Sequence, residues 1–249
     1  MSPMTAWPYP FWIAHRGAGK LAPENTLAAF RLGAQHGYRM FECDAKLSAD
    51  GTVFLMHDAT LDRTTNGRGV AGSQPWSVLS QLDAGSWHSG LYAGEPPGSL
   101  AALARFCLGN HHALNIEIKP TPGTERHTGE VVAREAAALW AGQAVMPLLS
   151  SFKPDALAGA LTSAAALPRG LLLDTWWDGW LTTAQELHCA AVIAHYPLWD
   201  PDRVATVHAA GLRALSYTVN DAAAVNHLKA LGTDGIITDQ VDLFAPHER

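Results

Sequence analysis

Cysteine is scarce in this chain. The three residues, Cys43, Cys107 and Cys189, are odd in number and far apart. They form no CxxC pair, which argues against a disulfide framework and a thiolate zinc site and points to a reducing, cytoplasmic setting. A basic excess is also missing. Net charge is −6 and pI is near 6.0, so no nucleic acid and no anionic membrane surface is expected as a partner. No stretch approaches the roughly 18 uncharged apolar residues of a membrane span. Residues 1–11 lack a basic segment followed by an apolar run, and Pro3, Pro8 and Pro10 interrupt any helix there, so no secretory leader is expected.

What is present is a length of 249 residues with 48% hydrophobic side chains, enough to bury a sizeable core. Short apolar runs alternate with alanine- and leucine-rich stretches at helical spacing. The runs are Trp12–His15, Met40–Leu47, Ala113–Lys119, Val145–Phe152, Arg169–Thr175, Ala190–His195, Leu212–Val219 and Gly235–Asp239. Helices are expected between most of them, near residues 25–36, 99–107, 129–141, 154–165, 182–188, 201–210 and 221–231. Pro154 and Pro201 suit first helical positions, and Gly211 and Gly232 suit helix stops. Alternating strands and helices predict a parallel sheet. Eight units at this length predict an α/β fold, a (β/α)8 TIM barrel, over residues 1–249 as a single domain. A doubly wound sheet competes, but His15-Arg16-Gly17-Ala18-Gly19 lacks the third glycine and the immediate helix of a dinucleotide loop.

One segment breaks the alternation. After Met40–Leu47, the sequence Ser48-Ala49-Asp50-Gly51 leads into a further apolar run at 52–57. Asp-Gly between apolar runs predicts a hairpin, so 52–57 is read as an extra strand that returns His57 to the rim. Residues 58–97 are then a small insertion after the second strand's hairpin, on the catalytic face.

Polar side chains inside apolar strands carry the chemistry. In Phe41-Glu42-Cys43-Asp44-Ala45, Glu42 and Asp44 share a face; in Asn115-Ile116-Glu117-Ile118-Lys119, Glu117 and Lys119 do. Barrel active sites lie at the C-terminal strand ends, so three carboxylates converge there. Burying them together is unfavourable without positive charge. A hard divalent cation, magnesium or calcium, suits such oxygen donors. The competing reading is a structural ion-pair cluster with Arg16 and Lys119. His15 and His57 sit at strand ends beside Arg16 and Asp58 and are read as general acid and general base. His36, His111, His112, His127 and His208 are read as surface residues. Gly17 would let backbone approach a phosphate closely. Trp176, Trp177 and Tyr217 are candidates for an apolar wall, with ordinary packing as the alternative.

Ten short motifs in order give a resemblance to a known family. They include His15-Arg16-Gly17, Ala22-Pro23-Glu24-Asn25-Thr26, Glu42-x-Asp44, His57-Asp58, Leu61-Asp62-Arg63-Thr64-Thr65, Asn115-Ile116-Glu117-Ile118-Lys119-Pro120 and Gly235-Ile236-Ile237-Thr238-Asp239. The chain resembles the glycerophosphodiester phosphodiesterases, most closely the soluble bacterial cytoplasmic type. The resemblance implies a barrel with an insertion after His57. It implies hydrolysis of small-molecule glycerophosphodiesters, such as glycerophosphocholine, to glycerol 3-phosphate and an alcohol. By position, Glu42, Asp44 and Glu117 would hold one magnesium or calcium ion. His15 and His57 would be the acid–base pair, and Arg16 and Lys119 would contact the phosphate. Tyr217 stands where the family often has tryptophan. His15 is assigned as base and His57 as acid; the order, and water against the glycerol 2-hydroxyl as attacker, stay open. The alternatives are a phospholipase D-like or lysophospholipid-cleaving activity, and a non-catalytic glycerophosphodiester-binding module.

Overall fold

A computed structural model describes residues 7–244 and 246. Pro3, read above as a helix breaker, lies outside the described residues. The strands are β1 (Trp12–Ala14), β2 (Met40–Leu47), β3 (Val53–Leu55), β4 (Ala113–Ile118), β5 (Leu148–Ser151), β6 (Arg169–Leu173), β7 (Ala191–His195), β8 (Arg213–Tyr217) and β9 (Gly235–Thr238). The helices are α1 (Leu27–Gln35), α2 (Trp76–Leu79), α3 (Leu100–Gly109), α4 (Glu125–Leu139), α5 (Pro154–Ser163), α6 (Trp180–Glu186), α7 (Pro201–Ala209) and α8 (Ala222–Leu231). All strands but β3 pair in parallel, and β1 pairs with both β9 and β2, so the sheet closes on itself. This is the expected (β/α)8 barrel. The extra strand is also as expected: β3 runs antiparallel to β2 and lies outside the ring.

Alternation builds two cores. Ile13, Met40, Leu172, Ile193, Leu215 and Ile237 fill the barrel interior. Neighbours of opposite parity, such as Phe41, Cys43, Leu114, Ile116 and Val192, pack outward under the helices. Both classes are fully or almost fully buried. Insertion residues Leu61, Ala71 and Leu79 pack on Phe54 and Met56 in a third, smaller core. The insertion also carries α2, whose four residues are too short to show a helical period.

Two of the boundary shifts have a plain physical reason. Strand β5 starts at Leu148 because Pro147 has no N–H to give a ladder. Helix α4 starts at Glu125, not near 129, because its first turn is polar and shows no apolar stripe. One correction concerns His112, read above as a surface residue. It is 6% exposed and sits edge-on to Phe41. The turn at His111, with φ of +55°, folds it back under α3. No helix among the described residues is long and apolar enough to cross a membrane.

Candidate active site

The β2–β4 register sets Glu42 opposite Asn115 and Asp44 opposite Glu117. The shared parity therefore becomes a shared place. One oxygen from each of Glu42, Asp44 and Glu117 lies within 4.8 Å of the others. Their burial gives each a different charge balance. Burial, with Asp44 and Glu117 close by, pushes Glu42 well above the ordinary carboxylate range. Burial and Asp44 also push Glu117 up, to about 7, against the pull of Lys119. Asp44 is buried as well, but Arg16 and Lys119 outweigh that cost and hold it at about 2.

The cations stand where these balances require. Arg16 Nε lies 3.2 Å from Asp44 Oδ2, and Lys119 Nζ lies 2.6 Å from Glu117 Oε1 and 3.6 Å from Asp44 Oδ1. Two buried oxygens, Glu42 Oε1 and Asp44 Oδ1, still have no hydrogen-bond partner. Unpartnered buried carboxylate oxygens are costly. Hard anionic donors converging from two adjacent strands fit a divalent cation.

The turn after β1 holds the rest of the site together. Arg16 has φ of +50°; its N–H donates to Glu42 Oε2 at 3.0 Å and its carbonyl accepts from Asn25 N. Asn25 clamps Asp44 twice: its Nδ2 donates to Asp44 Oδ2 at 2.8 Å, and its Oδ1 accepts from Asp44 N at 3.0 Å. Thr26 caps α1, its side chain accepting from Ala29 N. Gly17 is required for packing. A Cβ there would lie 2.8 Å from Ala29 Cβ and from Phe30 N, so the close approach it allows is to α1.

Both histidines line a cavity of about 150 Å³ with Glu42, Glu117, Lys119 and Tyr217. His15 Nδ1 lies 2.7 Å from Asp239 Oδ1, and His57 Nδ1 lies 2.8 Å from Asp58 Oδ1. Asp239 and Asp58 both titrate below the ordinary range. Ionised carboxylates only accept, so each Nδ1 carries the proton. Burial lowers the His57 pKa, with Arg16 and Lys119 adding to it against Asp44. Tyr217 donates its hydroxyl to the Leu173 carbonyl at 3.1 Å, leaving its ring as the cavity wall edge-on to Phe152.

Trp176 is not brought to this cavity. It donates Nε1 to the Leu198 carbonyl and packs against Trp180, Trp199 and Arg203. Several residues at the site went unassigned in the sequence. Asn115 lines the cavity with both amide atoms unpartnered; its parity with Glu117 was the available signal. Lys46 shares the face of Glu42 and Asp44 and donates to the Lys119 carbonyl at 3.1 Å. Asp239, 224 positions from His15, left no local trace of its role.

Comparison with known proteins agrees with this geometry. The profile of the glycerophosphoryl diester phosphodiesterase family matches residues 15–243. A glycerophosphodiester phosphodiesterase of Bacillus subtilis (strain 168) is 30% identical over 93% of this chain and 84% of the relative. One from Caldanaerobacter subterraneus subsp. tengcongensis is 31% identical over 91% of this chain and 93% of the relative. A solved phosphodiesterase from Oleispira antarctica, in complex with the product sn-glycerol-3-phosphate, is 33% identical. It superposes with a TM-score of 0.86 over 93% of both chains. The chain belongs to the glycerophosphodiester phosphodiesterase family and is a phosphoric diester hydrolase.

Proposed function

We propose that this enzyme hydrolyses glycerophosphodiesters, such as glycerophosphocholine and glycerophosphoethanolamine, to sn-glycerol 3-phosphate and an alcohol. The observation that carries the reading is the convergence of Glu42, Asp44 and Glu117 in one cavity with His15 and His57. Those three carboxylates would hold one magnesium or calcium ion. When bound, such an ion supplies positive charge against the substrate's oxygens and relieves the carboxylates' mutual repulsion. Arg16 and Lys119 orient the phosphate and withdraw its charge, which stabilises the pentavalent transition state.

His15 takes the proton of the attacking oxygen as the new P–O bond forms. The bond to the alcohol oxygen breaks, and His57, which must enter this step as the imidazolium with its Nδ1–H held by Asp58, gives that oxygen its Nε2 proton. Each transfer contributes about 10²–10⁴-fold. With water as attacker the product is glycerol 3-phosphate directly. With the glycerol 2-hydroxyl it is a cyclic phosphate that water then opens. A cavity of about 150 Å³ with Arg16, Glu42, Glu117 and Lys119 in its wall suits a glycerol phosphate better than an acyl chain. The same reading takes residues 1–249 as one catalytic unit in the cytoplasm, in keeping with three free, buried thiols.

A phosphorus NMR time course on glycerophosphocholine, with and without chelator, tests this. Glycerol 3-phosphate is expected to accumulate with magnesium or calcium and to stop with chelator. His15→Ala and His57→Ala are expected to stay folded and lose about 10²–10⁴-fold in rate. Undiminished turnover in chelator rejects the cation. Tight binding without turnover in saturating cation turns the reading to a binding module, and preferential cleavage of lysophospholipid turns it to a lipid substrate.

A further inference from the structure

The acid–base reading leaves one guanidinium at the site without a task. Arg63 comes from the insertion, and its side chain is 44% exposed. It nevertheless makes two forks at once. Nε and Nη2 donate to the two oxygens of Asp58 at 2.6 and 3.0 Å. Nη1 and Nη2 donate to the two oxygens of Glu24, each at 2.8 Å. Each carboxylate also holds a group at the site: Asp58 accepts from His57 Nδ1, and Glu24 accepts from Arg16 Nη1 at 2.8 Å. An unbroken chain of charge-assisted bonds thus runs from His57 through Asp58, Arg63 and Glu24 to Arg16. Partly exposed ion pairs add only modestly to stability, so holding the fold accounts for only part of a side chain spent in this way. The insertion also steadies it, with the guanidinium carbon 5.9 Å from the centre of the Trp87 ring.

We propose that Arg63 is a positioning residue that acts through His57. With both oxygens engaged, Asp58 has one orientation and cannot turn to solvent. That orientation keeps the proton of His57 on Nδ1 and leaves Nε2 as the atom that exchanges protons in the cavity. Through Glu24 the same guanidinium also reaches Arg16, but Arg16 keeps Asp44 at 3.2 Å as a second partner, so the effect runs through His57. Lysine cannot replace it, because a single ammonium offers no pair of forks. This inference rests on the reading of His57 as an acid–base group.

A double-mutant cycle on Arg63→Ala and His57→Ala tests it, read as kcat and KM for glycerophosphocholine by phosphorus NMR. Arg63→Ala is expected to lower kcat by about 10–100-fold, the usual cost of losing a partner that orients a functional imidazole, with KM near that of the parent. In the His57→Ala background the same change is expected to cost almost nothing, because the group it acts through is gone. Equal losses in both backgrounds, or no loss in the parent, overturn the inference. Full turnover in His57→Ala overturns the acid–base reading together with it. An inactive His57→Ala beside a fully active Arg63→Ala overturns the positioning role alone. Should Arg63→Ala fail to fold, Arg63→Lys takes its place in the cycle under the same criteria.

Discussion

Glu24 and Asp58 show how this site keeps its charges in order. Burial pushes Glu24 up, but hydrogen bonds from Arg63 and the charge of Arg16 bring it below its ordinary value of 4.5. Asp58 is held well below 3.8, first by its bonds to Arg63. A depressed folded-state pKa gives stability that is whole above the unfolded value and disappears as pH falls through the folded one. Arg63→Ala removes the largest lowering contribution to each, leaving Arg16 on Glu24 and His57 on Asp58. Urea unfolding across a pH series should therefore show parent and Arg63→Ala furthest apart near neutrality and converging as pH drops below about 4.5. A gap that widens in acid would contradict the network. Little of this was visible beforehand. Glu42, Asp44 and Glu117 could be grouped from strand parity, since period-two alternation is written in local order. Asp239 beside His15 and Arg63 between Asp58 and Glu24 depend on chain segments meeting across the fold, which no spacing rule encodes.

The elements were legible where apolar periodicity is strong. Every barrel strand and the β2–β3 hairpin stood out, since Asp50-Gly51 marks the turn. Helix α4 was read four residues short because Glu125 to Thr128 form a polar first turn. Its mate α5 reveals another feature that composition hides. Gly129 on α4 faces the Ala156 carbonyl, and Gly159 on α5 faces the Arg126 carbonyl; a Cβ at either would collide with the opposing backbone. The two helices are thus closer than side chains permit. Gly129→Ala gains up to about 1 kcal/mol of helix propensity yet must push α5 away. A net loss of about 1–3 kcal/mol is expected, readable as a lower melting temperature. An unchanged or higher value would mean that the pair separates without cost.

At the level of the whole molecule, the proposed site ties stability and the reaction to one cluster. Anything that binds only the folded state adds RT ln(1 + [L]/Kd), about 2.7 kcal/mol when the ligand is at 100 times Kd. Magnesium or calcium should therefore raise the calorimetric melting temperature of the chelator-treated protein, and Asp44→Asn should abolish that rise. An identical melting temperature with and without cation would count against the carboxylate cluster as its seat. The hoop itself is unevenly fastened. Strands β2 and β4 are matched along six positions from Met40 to Ala45, whereas β1 meets β2 only at Ala14 and Phe41. Beyond that point, the junction is bridged by the Arg16 amide reaching the Glu42 carboxylate. The enzyme thus has its slackest clasp beside the proposed reactive centre, so small breathing there would reach Arg16 and Glu42 while the far wall stays still.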